Sequence, residues 1–87
     1  MMGYQVEFLS EAEADLARLD SAVRERIFQK IRWLAENFEI ITPAPLLGEF
    51  KGYFKLRIGD YRAIYSVNPR AKLILVHLIG HRREIYK

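Results

Sequence analysis

The apolar residues change their spacing at Pro43 and Pro45, and few folds accommodate that change. Upstream, Leu9, Ala12, Leu16 and Leu19 recur at helical intervals, as do Val23, Ile27, Ile31, Leu34 and Phe38. Asp20-Ser21 interrupts the two runs and supplies a new N-cap, so two short helices joined as an antiparallel hairpin are expected. Ser10 and Glu13 stand at capping-box spacing at the start of the first helix. The prolines stop the helical pattern because proline lacks an N–H and restricts the residue before it. From Gly48 onward the period is two. Phe54, Leu56 and Ile58 alternate with Tyr53, Lys55 and Arg57, and Ala63, Tyr65 and Val67 alternate with Arg62, Ile64 and Ser66. Leu73–Ile79 is a nearly continuous apolar strand, with Gly80 expected to close it.

Gly59-Asp60 and Asn68-Pro69-Arg70-Ala71 are tight-turn signals, so the last three strands form an antiparallel meander. Tyr4–Phe8 alternates as a further strand that joins the sheet. The order is β-α-α-β-β-β. It predicts a two-layer α+β domain in which the N-terminal strand and helix hairpin pack on an antiparallel β-sheet. At 87 residues, positions 1–87 make a single domain.

Composition narrows the function. There is no cysteine, which excludes disulfides, thiolate metal sites and thiol nucleophiles. No apolar run approaches the roughly 18 residues of a membrane helix, and Met1–Gln5 has the features of no signal peptide, so a cytoplasmic protein without a membrane role is expected. The formal charge of +3 is unevenly spread. Residues 1–47 carry five basic groups against eight acidic, net −3; residues 48–87 carry nine basic against three acidic, net +6.

Much of that +6 falls in one pattern. Tyr53, Lys55 and Arg57 share the strand face opposite the core, Arg62 joins that exposed face across the turn, and His81, Arg82, Arg83 and Tyr86 follow the last strand. Arginine and lysine neutralise phosphates, and tyrosine rings and guanidinium planes stack on unpaired bases. RNA also carries its own nucleophile, the ribose 2′-OH. Its cleavage needs a base, cations around the phosphorane and an acid for the 5′-oxygen. Histidine and arginine suit these tasks, so no metal or cofactor is called for. His77, inside the apolar strand, reads as a structural residue, as do Tyr61 and Tyr65.

The most specific stretch is Leu47-Gly48-x-x-x-Gly52-Tyr53-x-Lys55-Leu56-Arg57-x-Gly59-Asp60-Tyr61-Arg62-x-x-Tyr65, followed by Gly80-His81-Arg82-Arg83-Glu84-Ile85-Tyr86. It resembles the RelE/ParE superfamily of type II toxins, and more closely its RelE branch. The resemblance covers almost the whole chain. It implies a toxin that cleaves mRNA in the ribosomal A site and is held inactive, in a toxin–antitoxin hetero-oligomer, by a cognate antitoxin protein. Lys55, Arg62, Arg82 and Tyr86 match the family's catalytic positions, and His81 resembles the terminal-strand histidine of many relatives. Lys51, Tyr53, Arg57 and Arg83 are then expected to bind RNA. One position departs: the best-known members carry a lysine two residues before Lys55, where this sequence has Tyr53. Two alternatives follow from the same resemblance. One is a ParE-like inhibitor of DNA gyrase, and the other a catalytically inactive homologue that binds only antitoxin or RNA.

Overall fold

The computed structural model describes residues 3–46 and 51–85. Tyr86 and the Leu47-Gly48 start of the motif therefore lie outside the described residues. The elements are β1 (Gln5–Phe8), α1 (Ser10–Ala17), α2 (Ser21–Asn37), a 3-10 turn (Phe38–Ile40), β2 (Ala44–Pro45), β3 (Phe54–Ile58), β4 (Tyr61–Asn68), β5 (Leu73–His81) and α3 (Arg82–Ile85). The strands form one sheet in the order β1-β5-β4-β3-β2. Both long helices pack on the same side of it. Ala12 and Leu16 of α1, with Ile27, Ile31, Leu34 and Ala35 of α2, bury against Leu56, Ala63, Tyr65, Ile74, Val76 and Ile79 of the sheet. No helix among the described residues is long and apolar enough to cross a membrane.

The two-layer α+β architecture and the antiparallel β3-β4-β5 meander are as expected. The sheet as a whole is mixed, because β1 adds to β5 in parallel. Two helices separate β1 from the meander, so no tight turn dictates its direction. β1 is also shorter than β5. Beyond its end, Leu9 N–H donates to Val76 O at 2.9 Å, and the Ile79 N–H donates to Asp15 Oδ2 at 2.9 Å. A carboxylate of α1 thus replaces the missing strand and ties the helix to the sheet edge.

Local details depart from expectation in three places. Ser10 lies inside the first turn of α1 and makes no capping hydrogen bond; Leu9 occupies the N-cap, and its carbonyl accepts from Glu13 N–H at 3.0 Å. Ala44-Pro45 forms a strand, which proline permits because β2 is an edge. β5 runs through Gly80 to His81, because β4 extends far enough to pair Tyr61 with His81 and Arg62 with Gly80.

Tyr65 anchors the core between Phe54, stacked at 5.7 Å, and Phe38, edge-on at 6.4 Å. Burial pushes its phenol up to about 12. An unfolded tyrosine ionises near pH 10. Between pH 10 and 12 the unfolded chain therefore loses a proton that the native state keeps, and stability falls; below pH 10 the contribution is complete. The urea midpoint is expected to drop from pH 9 to pH 11.5, and to drop less in Tyr65→Phe. Equal drops in both proteins exclude Tyr65 as the cause.

Candidate RNA-processing site

The pleat of β3 divides its residues as the sequence predicts. Phe54, Leu56 and Ile58 face the helices, while Lys55 and Arg57 are exposed on the opposite, open face. Lys51 precedes them in an exposed turn. In register, Lys55 stands opposite Ile64 and Arg57 opposite Arg62, so Arg62 belongs to the same face. It is not exposed, however: only 8% of its surface is accessible. Its Nη1 donates to the carbonyls of Gly59 (3.0 Å) and Tyr61 (2.9 Å). Burial follows from the neighbouring strand. Gly80 lies opposite Arg62, and Ile85 of α3 packs within 3.4 Å of where a Gly80 Cβ would stand. The missing side chain lets α3 close over this end of the face.

Gly59 has φ of +59°, and Asp60 keeps a negative φ, the type II′ pattern that suits a two-residue hairpin. The turn collects a second arginine. Arg82 N–H donates to Asp60 O at 2.8 Å, and Arg82 Nε lies 4.0 Å from Asp60 Oδ1. That ion pair is exposed and contributes little energy. The backbone bond does more, since it fixes where α3 begins. Arg62 and Arg82, 20 residues apart in sequence, thus converge on one turn. Arg62 holds it from beneath, and Arg82 remains exposed. Arg83 is also exposed on α3.

His81 departs from expectation. It pairs with Tyr61, which pairs with Ile58, so its side chain lies on the helix side of the sheet rather than with Lys55 and Arg57. Its ring meets Tyr61 edge-on at 5.5 Å. The two line a cavity of about 380 Å³ with Arg26, Arg57 and Asp60. Arg57 therefore belongs to both surfaces, at the end of the hairpin where they meet. His81 Nδ1 accepts the Arg83 N–H at 3.2 Å, which leaves Nε2 to carry the proton of the neutral ring. Arg26 and Tyr61 were not readable as site residues. Arg26 looks like any solvated helix cation, and Tyr61 has the spacing of core.

A third group was also missed. Ile64 pairs with Leu78 and Tyr65 with Val76, so His77 is an extra residue, a β-bulge. Alternation from Val76 puts His77 on the open face, and the bulge keeps Leu78 there beside it; His77 Nε2 is 2.7 Å from Ser66 Oγ and its ring is 4.9 Å from that of Tyr53, nearly perpendicular. The nearly continuous apolar run Leu73–Ile79, in which His77 is the one polar residue, gives no sign of this change of phase.

A family model described as the ParE toxin of the type II toxin–antitoxin system parDE matches residues 6–86. The chain belongs to this family. Its relatives include Toxin RelG of Mycobacterium tuberculosis, 26% identical over 86 residues and covering 99% of each chain. A putative RelE-like toxin protein of Escherichia coli is 30% identical over 85 residues, covering 95% of this chain and 87% of the other. Among solved structures, the toxin–antitoxin complex RelBE2 of M. tuberculosis superposes with a TM-score of 0.84 at 25% identity, over 94% of both chains. The archaeal RelE–RelB complex of Pyrococcus horikoshii does so at 0.72 and 26%, over 93% of this chain and 97% of that one. This ParE-family protein is thus a toxin of the type II toxin–antitoxin class, within the RelE/ParE superfamily.

Proposed function

We propose that this toxin is a ribosome-dependent mRNA endoribonuclease that stops translation in the cytoplasm by cutting in the A site. One observation carries the reading. The turn that ends the strand bearing Lys55 and Arg57 also gathers Arg62 and Arg82, so three arginines meet at one hairpin end, with Lys55 two residues farther along the same face of β3. The relatives named as RelE-like point the same way. In the proposed reaction the ribose 2′-oxygen attacks phosphorus and passes its proton to a solvent water. The bond to the 5′-oxygen breaks, leaving a 2′,3′-cyclic phosphate and a 5′-hydroxyl. Lys55, Arg57 and Arg82 oppose the charge that builds on the phosphorane, where preorganised donors contribute most. Arg62 supports them as a positioning residue through the turn. His81 stands at the hairpin end where the two faces meet; as the imidazolium, with Nδ1 protonated in place of the Arg83 N–H contact, it delivers its Nε2 proton to the departing 5′-oxygen and is left as the neutral ring. Lys51 and Arg83 extend the cationic surface for RNA, and Tyr86 is assigned by its place in the motif alone.

The partner is an antitoxin whose acidic, amphipathic segment covers this basic face, as RelB is complexed with RelE in the solved relatives. The test is a translation extract given the purified toxin, with 5′-end mapping of its mRNA. Ribosome-dependent cuts within A-site codons are the expected result. Intact mRNA together with trapped gyrase–DNA complexes would overturn it in favour of a gyrase inhibitor. RNA binding without cuts would leave an inactive homologue.

A further inference from the structure

Beside the cationic hairpin end, the open face holds a small cavity of about 200 Å³ lined by Glu11, Tyr53, Ile64, His77 and Leu78. Its composition differs from its surroundings. Two aromatic rings and two aliphatic side chains make the walls, and the one charged group is a carboxylate. Such a site repels a phosphate and accepts a flat ring that brings N–H donors. The rings are held in place: Ser66 Oγ bonds His77 Nε2 at 2.7 Å, and the Tyr53 ring stands edge-on to His77 at 4.9 Å. The bulge at His77 is what keeps Leu78 on the same side of β5 as His77. Ile64 lies in register between Lys55 on β3 and Leu78 on β5. The cavity is thus within about two strand spacings, some 10 Å, of Lys55.

We infer that this cavity is a nucleobase pocket that selects the nucleotide flanking the cut. The base stacks on the Tyr53 ring and meets the perpendicular His77 ring edge-on, and the Glu11 carboxylate accepts hydrogen bonds from its edge. The inference rests on the endoribonuclease reading for its substrate. Carboxylates accept from exocyclic amino groups. Guanine presents two adjacent donors, N1–H and the 2-amino group, and fits best. Adenine and cytosine offer one amino group each. Uracil has a single N–H flanked by carbonyl oxygens and fits worst. Tyr53, which replaces a cation where the sequence pattern of the best-known relatives has lysine, becomes a stacking surface in this account.

The experiment maps cut sites on a mixed mRNA pool for the wild-type toxin and for Glu11→Ala, with Tyr53→Leu as a second variant. Glu11 is exposed at the start of α1, so its replacement leaves the core intact. Wild-type cuts are expected to favour guanine over uracil about fivefold or more at one position beside the cut. Glu11→Ala is expected to reduce that ratio below about twofold while total cleavage stays within about threefold, and Tyr53→Leu to flatten the profile at the same position. An unchanged base profile in Glu11→Ala, or no preference in the wild type, overturns the pocket. If the wild type cuts no RNA, the nuclease reading fails, and the pocket is decided on the free protein. Shifts of the His77 and Tyr53 ring protons with guanosine monophosphate but not uridine monophosphate, lost in Glu11→Ala, support it. Equal shifts with both nucleotides, or none with either, overturn it.

Discussion

Arg62→Ala is expected to lose both stability and activity, the first by about 2–3 kcal/mol and the second by about 100-fold or more. The stability loss follows from two carbonyls, Gly59 O and Tyr61 O, that share one buried guanidinium nitrogen. Hydrogen bonds to charged groups contribute about 1.5–3 kcal/mol, and a buried acceptor left bare is penalised as well. The activity loss follows from the turn, which fixes the start of α3 through Arg82 N–H and so sets where the exposed Arg82 guanidinium stands. Removing one preorganised donor of this type typically costs 10²–10³ in rate. Thermal melts and single-turnover cleavage measure the two losses separately. Gly59→Ala sharpens the interpretation, because it strains the +59° φ of the turn and leaves every cation in place. If Arg62 acts through the turn, Gly59→Ala loses activity too. If Arg62→Ala melts and cleaves like the wild type, its place in the site is wrong.

The fold was legible where information is local and periodic. Alternation along β3 placed Lys55 and Arg57 on the open face, and the Gly59-Asp60 pair located the hairpin. What stayed hidden depends on partners distant in sequence. Parallel pairing of β1 is set by how the helices return the chain, and the Asp15–Ile79 bond spans 64 residues. Arg62 looks exposed by parity, since its burial is decided by the bare Cα of Gly80 across the strand and by α3 folding over it. His81 was placed by its neighbours Arg82 and Arg83, although strand pairing continues one residue past Gly80 and carries it to the helix side. A bulge is the hardest case. It changes the phase of a strand by one residue, and an apolar run has no phase to read, so the Tyr53, Ser66 and His77 group emerges only from the register.

Lys55→Ala is the complementary case, with folding retained and activity lost. Lys55 is exposed on β3, between Ala44 of β2 and Ile64 of β4. An exposed strand position spans about 1 kcal/mol of β-propensity, so the melting temperature is expected to move by only a few degrees. Cleavage is expected to fall about 100-fold, because the removed ammonium opposes charge that exists only as the phosphorane forms. Lys51→Ala is the control. It removes the same charge from the turn before β3, farther from the arginines. Each variant should lower the slope of log K against log salt by about 0.7 for single-stranded RNA, since each gives up one phosphate contact. Equal slopes with unequal cleavage separate a cation that acts at the reacting phosphate from one that merely holds the strand. If both variants lose cleavage only in proportion to binding, Lys55 has no role beyond attraction, and stabilisation of the phosphorane then falls to Arg57 and Arg82.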